Sequence, residues 1–128
     1  IMSSQQNFDI KTLLGAAERT TSTNGSAVDL QGYVNPGGRA MKAYIDLGAV
    51  TTAGPLTVKI QHSDTTTAAD FTDVSGGGFT VIPVTTTTAT QEAIHFVTTK
   101  RYVRASAVCT NGAGHSYGVY LLAEKRVK

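Results

Sequence analysis

The stretch Leu56–Phe79, LTVKIQHSDTTTAADFTDVSGGGF, decides the fold. It opens with strict alternation. Leu56, Val58, Ile60 and His62 fall on one face, and Thr57, Lys59, Gln61 and Ser63 on the other, which is the period of a half-buried strand. The chain then turns polar from Ser63 to Asp70. It returns to apolar residues at Phe71 and Val74, breaks at Gly76-Gly77-Gly78 and restarts at Phe79. Strand, long loop and strand in succession are the grammar of an antiparallel sandwich.

Upstream, Met41, Ala43, Ile45 and Leu47 alternate with Lys42, Tyr44 and Asp46, so a strand is expected over Arg39–Val50, with the first set inward. Before it lies Asn35-Pro36-Gly37-Gly38, a strong turn signal, because Pro presets one φ and Gly tolerates the positive φ that follows. Ser26–Val34 alternates as well, with Val28, Leu30 and Val34 on one face and Asp29, Gln31 and Tyr33 on the other. Residues 1–25 are polar and aperiodic. A helix over Asp9–Arg19 is short and interrupted by Gly15. The reading is an extended arm, anchored to the body or to a neighbour by Phe8, Ile10, Leu13 and Leu14, with a frayed terminus as the alternative. The Ile1-Met2 opening suggests either that Ile1 is an added residue or that the numbering starts upstream of the true start.

Downstream, a strand is expected over Phe79–Val84, ending or lying at an edge because Pro83 cannot donate to a ladder. Thr85–Thr90 reads as a loop. Glu92–Val97 alternates weakly, with Ile94 and Phe96 on one side. Lys100–Thr110 places Val103, Ala105, Ala107 and Cys109 opposite Tyr102, Arg104, Ser106 and Val108. Asn111-Gly112-Ala113-Gly114 signals a hairpin turn. In the closing strand, Ser116–Ala123, both phases are apolar: Tyr117, Val119, Leu121 and Ala123 face one way, Tyr120 and Leu122 the other. A strand of that kind is either central and covered, or part of a subunit interface. The expected architecture is all-β: an antiparallel two-sheet β-sandwich of about eight strands, with the unequal loops of a jelly roll. The organisation is an arm over 1–25, a jelly-roll domain over 26–124 and a charged tail over 125–128.

Composition agrees. Of 128 residues only 16% are charged, against roughly a quarter in ordinary domains. Thr and Gly take their place, and Thr suits pleated, half-exposed surfaces. A net charge of +2, with the basic residues scattered, argues against nucleic acid. The single cysteine, Cys109, excludes an intramolecular disulfide and fits a reducing cytoplasm. No apolar run approaches the roughly 18 residues of a spanning helix, and no signal peptide is legible.

Chemistry is hard to find. His62, His95 and His115 lie in no motif with a nucleophile. Cys109 falls on an apolar strand face, as a small core residue would. The nine acidic residues suggest no facing pair for glycoside hydrolysis. His62, Asp64, Asp70 and Asp73 are the most site-like cluster, since oxygen ligands on a loop can hold calcium, but their spacing matches no calcium motif and Asp is an ordinary turn former. The glycine triplet is followed by no Lys-Ser or Lys-Thr and no helix. It reads as a bend or bulge, not a phosphate loop. No catalytic residue, metal ligand or cofactor site is nominated.

Two phrases carry a resemblance. IQHSDTTTAADFTDV, with Gln61, His62, Ser63, Asp64, Ala69, Asp70, Phe71 and Val74, is followed by KRYVRASAV, with Arg101, Tyr102, Val103 and Arg104, and by the closing strand YGVYLLA. Over roughly residues 40–123 the chain resembles the jelly-roll capsid cement proteins of Bordetella-type short-tailed phages. The resemblance implies a non-enzymatic structural virion protein made in the bacterial host cytoplasm. It would sit on the outer surface of a capsid built from a major capsid protein of the HK97 fold, and cement neighbouring capsomers. A homo-oligomer is expected, a dimer before a trimer, with no direct contact to nucleic acid or membrane. The candidate contact residues are Phe8, Ile10, Leu13, Leu14, Tyr33, Tyr44, Tyr102, Arg104, Tyr120 and Leu122. Competing readings are a carbohydrate-binding module of a virion fibre and a head–tail or tail structural protein.

Overall fold

The computed structural model describes residues 8–31, 33, 40–52, 55–80, 90–109 and 114–124. Nine strands follow in order: β1 (Phe8–Arg19), β2 (Thr23–Asn24), β3 (Val28–Asp29), β4 (Ala40–Thr52), β5 (Leu56–Ser63), β6 (Thr72–Gly78), β7 (Thr90–Val97), β8 (Tyr102–Cys109) and β9 (Gly114–Glu124). They form two antiparallel sheets, β1-β9-β4-β7 and β2-β8-β5-β6, and the short β3 also pairs with β8.

This order is a rolled ribbon. β1 pairs with β9, β2 with β8, β4 with β7 and β5 with β6, so the two halves of the chain run antiparallel along one long ribbon. Rolling that ribbon brings β9 beside β4 and β8 beside β5. The outcome is the expected jelly roll. The stretch Leu56–Phe79 is the tip at which the ribbon folds back on itself, with a single 3₁₀ turn, Ala68–Asp70, in the connection.

Alternation dictates the core between the sheets. Met41, Ala43, Ile45 and Leu47 of β4 are buried, as are Leu56, Val58 and Ile60 of β5, Val103, Ala105 and Ala107 of β8, and Tyr117, Val119, Leu121 and Ala123 of β9. Cys109 is half-buried and packs against this core.

Four features depart from the sequence reading. Phe8–Arg19 is extended and anchored to the body by Leu13 and Leu14, and it goes further than an arm: it is an edge strand paired along β9. Its register shifts between Thr12 and Leu14 and again between Leu14 and Ala17. Bulges of this kind let the adjacent Leu13 and Leu14 both be buried, and they erase the alternation a strand would show. Tyr33, expected on an outward phase, is buried, and its hydroxyl donates to Asp9 Oδ2 at 2.8 Å.

The third departure is β6, a strand over Thr72–Gly78 that runs on through the glycine triplet where a break was expected, the triplet taking the bulge rather than the bend of the two readings. Lys59 pairs with Gly78 but Gln61 with Asp73, so the glycine triplet lies in a bulge within the strand. Gly76 has φ +77°, and a Cβ on Gly77 would come within 3.0 Å of Val74 Cβ and 3.2 Å of Ile60 Cβ. Fourth, β5 loses its alternation at its end, where Ser63 is buried and His62 only half-buried. Of the expected strand over Phe79–Val84, Phe79 and Thr80 are described and lie outside any strand; residues 81–84 lie outside the described residues. So do the turn signals at 35–38 and 111–113, the Thr-rich loop up to residue 89, and the tail over 125–128.

Candidate functional site

Residues directly opposite one another on neighbouring strands share a face. On the outer face of the four-stranded sheet the register builds three rows. Ile10, Leu122, Lys42 and His95 form one; Thr12, Tyr120, Tyr44 and Ala93 form the next; Gly118, Asp46 and Gln91 form the third. The middle row is aromatic: the Tyr44 and Tyr120 rings lie 5.2 Å apart, tilted by 34°. Tyr120 folds down over Gly118, where a Cβ would collide with the phenol oxygen. Ile10 is 62% exposed. Beside Tyr120 is a pocket of about 200 Å³, lined by Ala16, Ala17, Gly48 and Gly118, with Asp46 at its margin. The surface therefore carries protruding aliphatic groups at one end, an aromatic ridge in the middle and a hollow floored by small residues at the other end.

The outer face of the second sheet is built differently. Arg104 Nε donates to Gln61 Oε1 at 2.9 Å, Gln61 Nε2 donates to Asp73 Oδ1 at 3.0 Å, and Lys59 Nζ reaches Asp73 Oδ2 at 3.2 Å. The Arg104 guanidinium also sits 4.4 Å above the Phe71 ring. Further along, Arg101 grips both oxygens of Asp29 at 3.0 and 2.9 Å, and its guanidinium lies over the Tyr102 ring. The hydrogen bond from Arg101 holds the Asp29 carboxyl below the usual carboxylate range, and those from Gln61 and Lys59 do the same for Asp73.

The loop after β5 brings part of the His62 cluster together. His62, Asp64, Asp70 and Lys100 line a hollow of about 330 Å³. Each of these four side chains has an ordinary structural bond. His62 Nδ1 meets Thr98 Oγ1 at 2.8 Å, Lys100 Nζ donates to Asp64 Oδ2 at 3.0 Å, and Thr65 Oγ1 donates to Asp70 Oδ2 at 2.6 Å. Burial, reinforced by the Lys100 charge, pushes the His62 pKa below its usual value. Asp73 is turned away toward Lys59 and Gln61. Among the described residues no group of three His, Cys, Asp or Glu is placed to hold a metal ion, and no helix is long and apolar enough to cross a membrane.

The sequence-derived contact residues thus separate. Ile10, Tyr44, Tyr120 and Leu122 converge on the outer face of the four-stranded sheet. Tyr102 and Arg104 belong to the opposite face. Leu13, Leu14 and Tyr33 are buried in the core, because the β1 bulges and the Tyr33–Asp9 bond draw them in, so as a surface for a partner they are corrected. The Phe8 side chain lies outside the described residues. Lys42, Asp46, Gly118 and the alanines of β1 were not nominated. Alternation already sets Lys42 and Asp46 beside Tyr44, but only cross-strand register brings Tyr120, Gly118 and the β1 alanines to them, and a single sequence does not carry that register.

No protein-family model matches this sequence, and no curated protein matches it. Among solved structures, the chain is similar to the crystal structure of the SPBc2 prophage-derived protein YomS, with a TM-score of 0.56 and 13% identity, over 94% of this chain and 98% of that one. At that identity the likeness is one of fold.

Proposed function

We propose that this chain is a structural protein of a phage virion that binds the outer surface of an HK97-type capsid and cements neighbouring capsomers. The observation that carries the reading is the outer face of the four-stranded sheet, where Tyr44, Tyr120, Leu122 and Ile10 form one aromatic–aliphatic surface on a rigid double sheet. Aromatic anchors within an apolar patch are the usual core of a protein contact. Two further observations support the reading: the fold is shared with a prophage-derived protein, and the IQHSDTTTAADFTDV and KRYVRASAV phrases resemble phage cement proteins.

On this reading the protein is not an enzyme and needs no cofactor. A cement acts by binding the assembled lattice better than free capsid subunits, so mass action favours the assembled shell. Many modest contacts then add through shared attachment. The test is to add the purified protein to expanded shells of the phage that encodes it. Saturable binding and a higher temperature of DNA release are expected. Shells that neither bind the protein nor gain resistance would overturn the reading.

A second reading, a carbohydrate-binding module, is favoured by the pocket of about 200 Å³ beside Tyr120 and Asp46. Sugars stack on aromatic faces and hydrogen-bond to carboxylates. Glycan-array binding lost in Tyr120→Ala would establish it; silence across the array removes it.

A further inference from the structure

We propose that the outer face of the four-stranded sheet is occupied by a second copy of this chain, in a two-fold dimer centred on Tyr44. This rests on reading that face as a protein contact, and it names the partner.

Charge is the first observation. On the second sheet and its margin, the ion pairs Lys59–Asp73, Arg101–Asp29 and Lys100–Asp64 are closed within the copy. On the four-stranded sheet, Lys42 and Asp46 are both exposed, and neither is in a salt bridge among the described residues. Asp46 accepts from the neutral amide of Gln91 at 2.9 Å, which leaves its charge uncompensated. The two charges flank Tyr44 symmetrically on one strand face, each about 7 Å from it. Consider a two-fold axis between two such sheets, crossing β4 at right angles at Tyr44. It sets Tyr44 against Tyr44, and Lys42 of each copy against Asp46 of the other. An isologous contact requires self-complementarity of this kind.

Shape is the second observation, and it follows from the same axis. The operation that exchanges Lys42 with Asp46 also exchanges their row neighbours. Leu122, in the Lys42 row, is carried over Gly118 of the Asp46 row, which the Tyr120 ring of that copy covers, so Leu122 packs against that ring. Ile10, at the β1 end of the Leu122 row, is carried toward the hollow lined by Ala16 and Ala17. One aliphatic side chain thus meets an aromatic ring and the other a hollow lined by alanines. Packed sheets cross at about 30°, which displaces groups this near the axis by only about 4 Å, within reach of Lys42. A dimer of this form presents two symmetry-related copies of every surface it leaves uncovered, as bridging between capsomers requires.

The experiment uses the purified protein alone, without shells. Sedimentation equilibrium at up to about 100 μM covers the range in which a contact of standard size is saturated. The wild type is expected to be a dimer. K42E and D46K each set like charges against one another and are expected to weaken dimerisation at least tenfold. The double variant K42E/D46K is expected to recover to within about threefold, because a fully swapped pair is complementary again. An equimolar mixture of the two single variants is expected to form a heterodimer, since both of its cross-pairs are then opposite in sign. Thermal melts confirm that each variant is folded. A monomeric wild type, single variants that dimerise normally, or a double variant that fails to recover would each overturn the dimer. A monomer that still protects shells overturns this inference and leaves the cement reading standing; a dimer that shells ignore does the reverse.

Discussion

The two outer faces of this jelly roll are made by the same rule, alternate residues of antiparallel strands, yet they finish differently. On the β8–β5–β6 side, Arg104, Gln61, Asp73 and Lys59 bond in sequence, and Arg101 closes on Asp29. Each of these charged side chains meets a partner in its own chain. On the β9–β4 side, two tyrosines, Leu122 and Ile10 stand beside a lysine and an aspartate that are in no salt bridge among the described residues. A face whose polar groups satisfy one another gains little from a partner, because docking would break those bonds or desolvate them. A face of aromatic and aliphatic groups with uncompensated charges gains from being covered. On the proposed reading, the difference separates a surface that finishes the fold from one that continues into an assembly.

The contrast can be broken by exchanging the character of the faces. The largest effect is expected for Leu122→Asp, which sets a charge among the aliphatic groups beside the aromatic ridge. Association should weaken at least thirtyfold, the loss of an interface anchor worth about 2 kcal/mol or more, while the melting temperature changes little. Sedimentation and calorimetry report the two quantities separately. Arg104→Ala should do the converse. It removes the Gln61 bond and the cation–π contact with Phe71, lowers folding stability by about 1–2 kcal/mol in urea titration, and leaves association unchanged. Asp73→Asn should cost less than about 1 kcal/mol, because its side chain is 52% exposed and the pair is screened by water.

The smallest expected effect is one of pH at the ribbon tip. Burial holds the folded pKa of His62 below its usual 6.5. Between the two values the unfolded chain binds the more protons, so stability should fall as pH drops from above 6.5 through the folded pKa, and level off below it. His62→Gln should flatten this part of the stability–pH curve in denaturant titrations. A curve of unchanged slope would assign the dependence to another group.

Much of the fold is legible in the sequence, and the failures have physical causes. β4 and β8 keep strict alternation, and their inward residues can be read directly; β9 is apolar on both phases, yet Tyr117, Val119, Leu121 and Ala123 form its inward set as its phase gives. β1 is hidden because its bulges bury Leu13 and Leu14 in succession. β6 is hidden because a bulge that accommodates Gly76 and Gly77 looks locally like a turn. Tyr33 follows an outward phase, but its place is set by Asp9, far away in sequence. The candidate surface is legible in half. The double-apolar β9 marks Tyr120 and Leu122 as unusual. Their neighbours Lys42, Tyr44 and Asp46 join them only through the β4–β9 register, which a long-range pairing fixes.

The most direct measurement of the central claim is the temperature at which shells release DNA, with each protein added at saturation. The account predicts that the wild type and Asp73→Asn raise it equally, and that Leu122→Asp leaves it at the value of bare shells. Leu122→Asp protecting as well as the wild type, or a wild type that gives no protection, would contradict it.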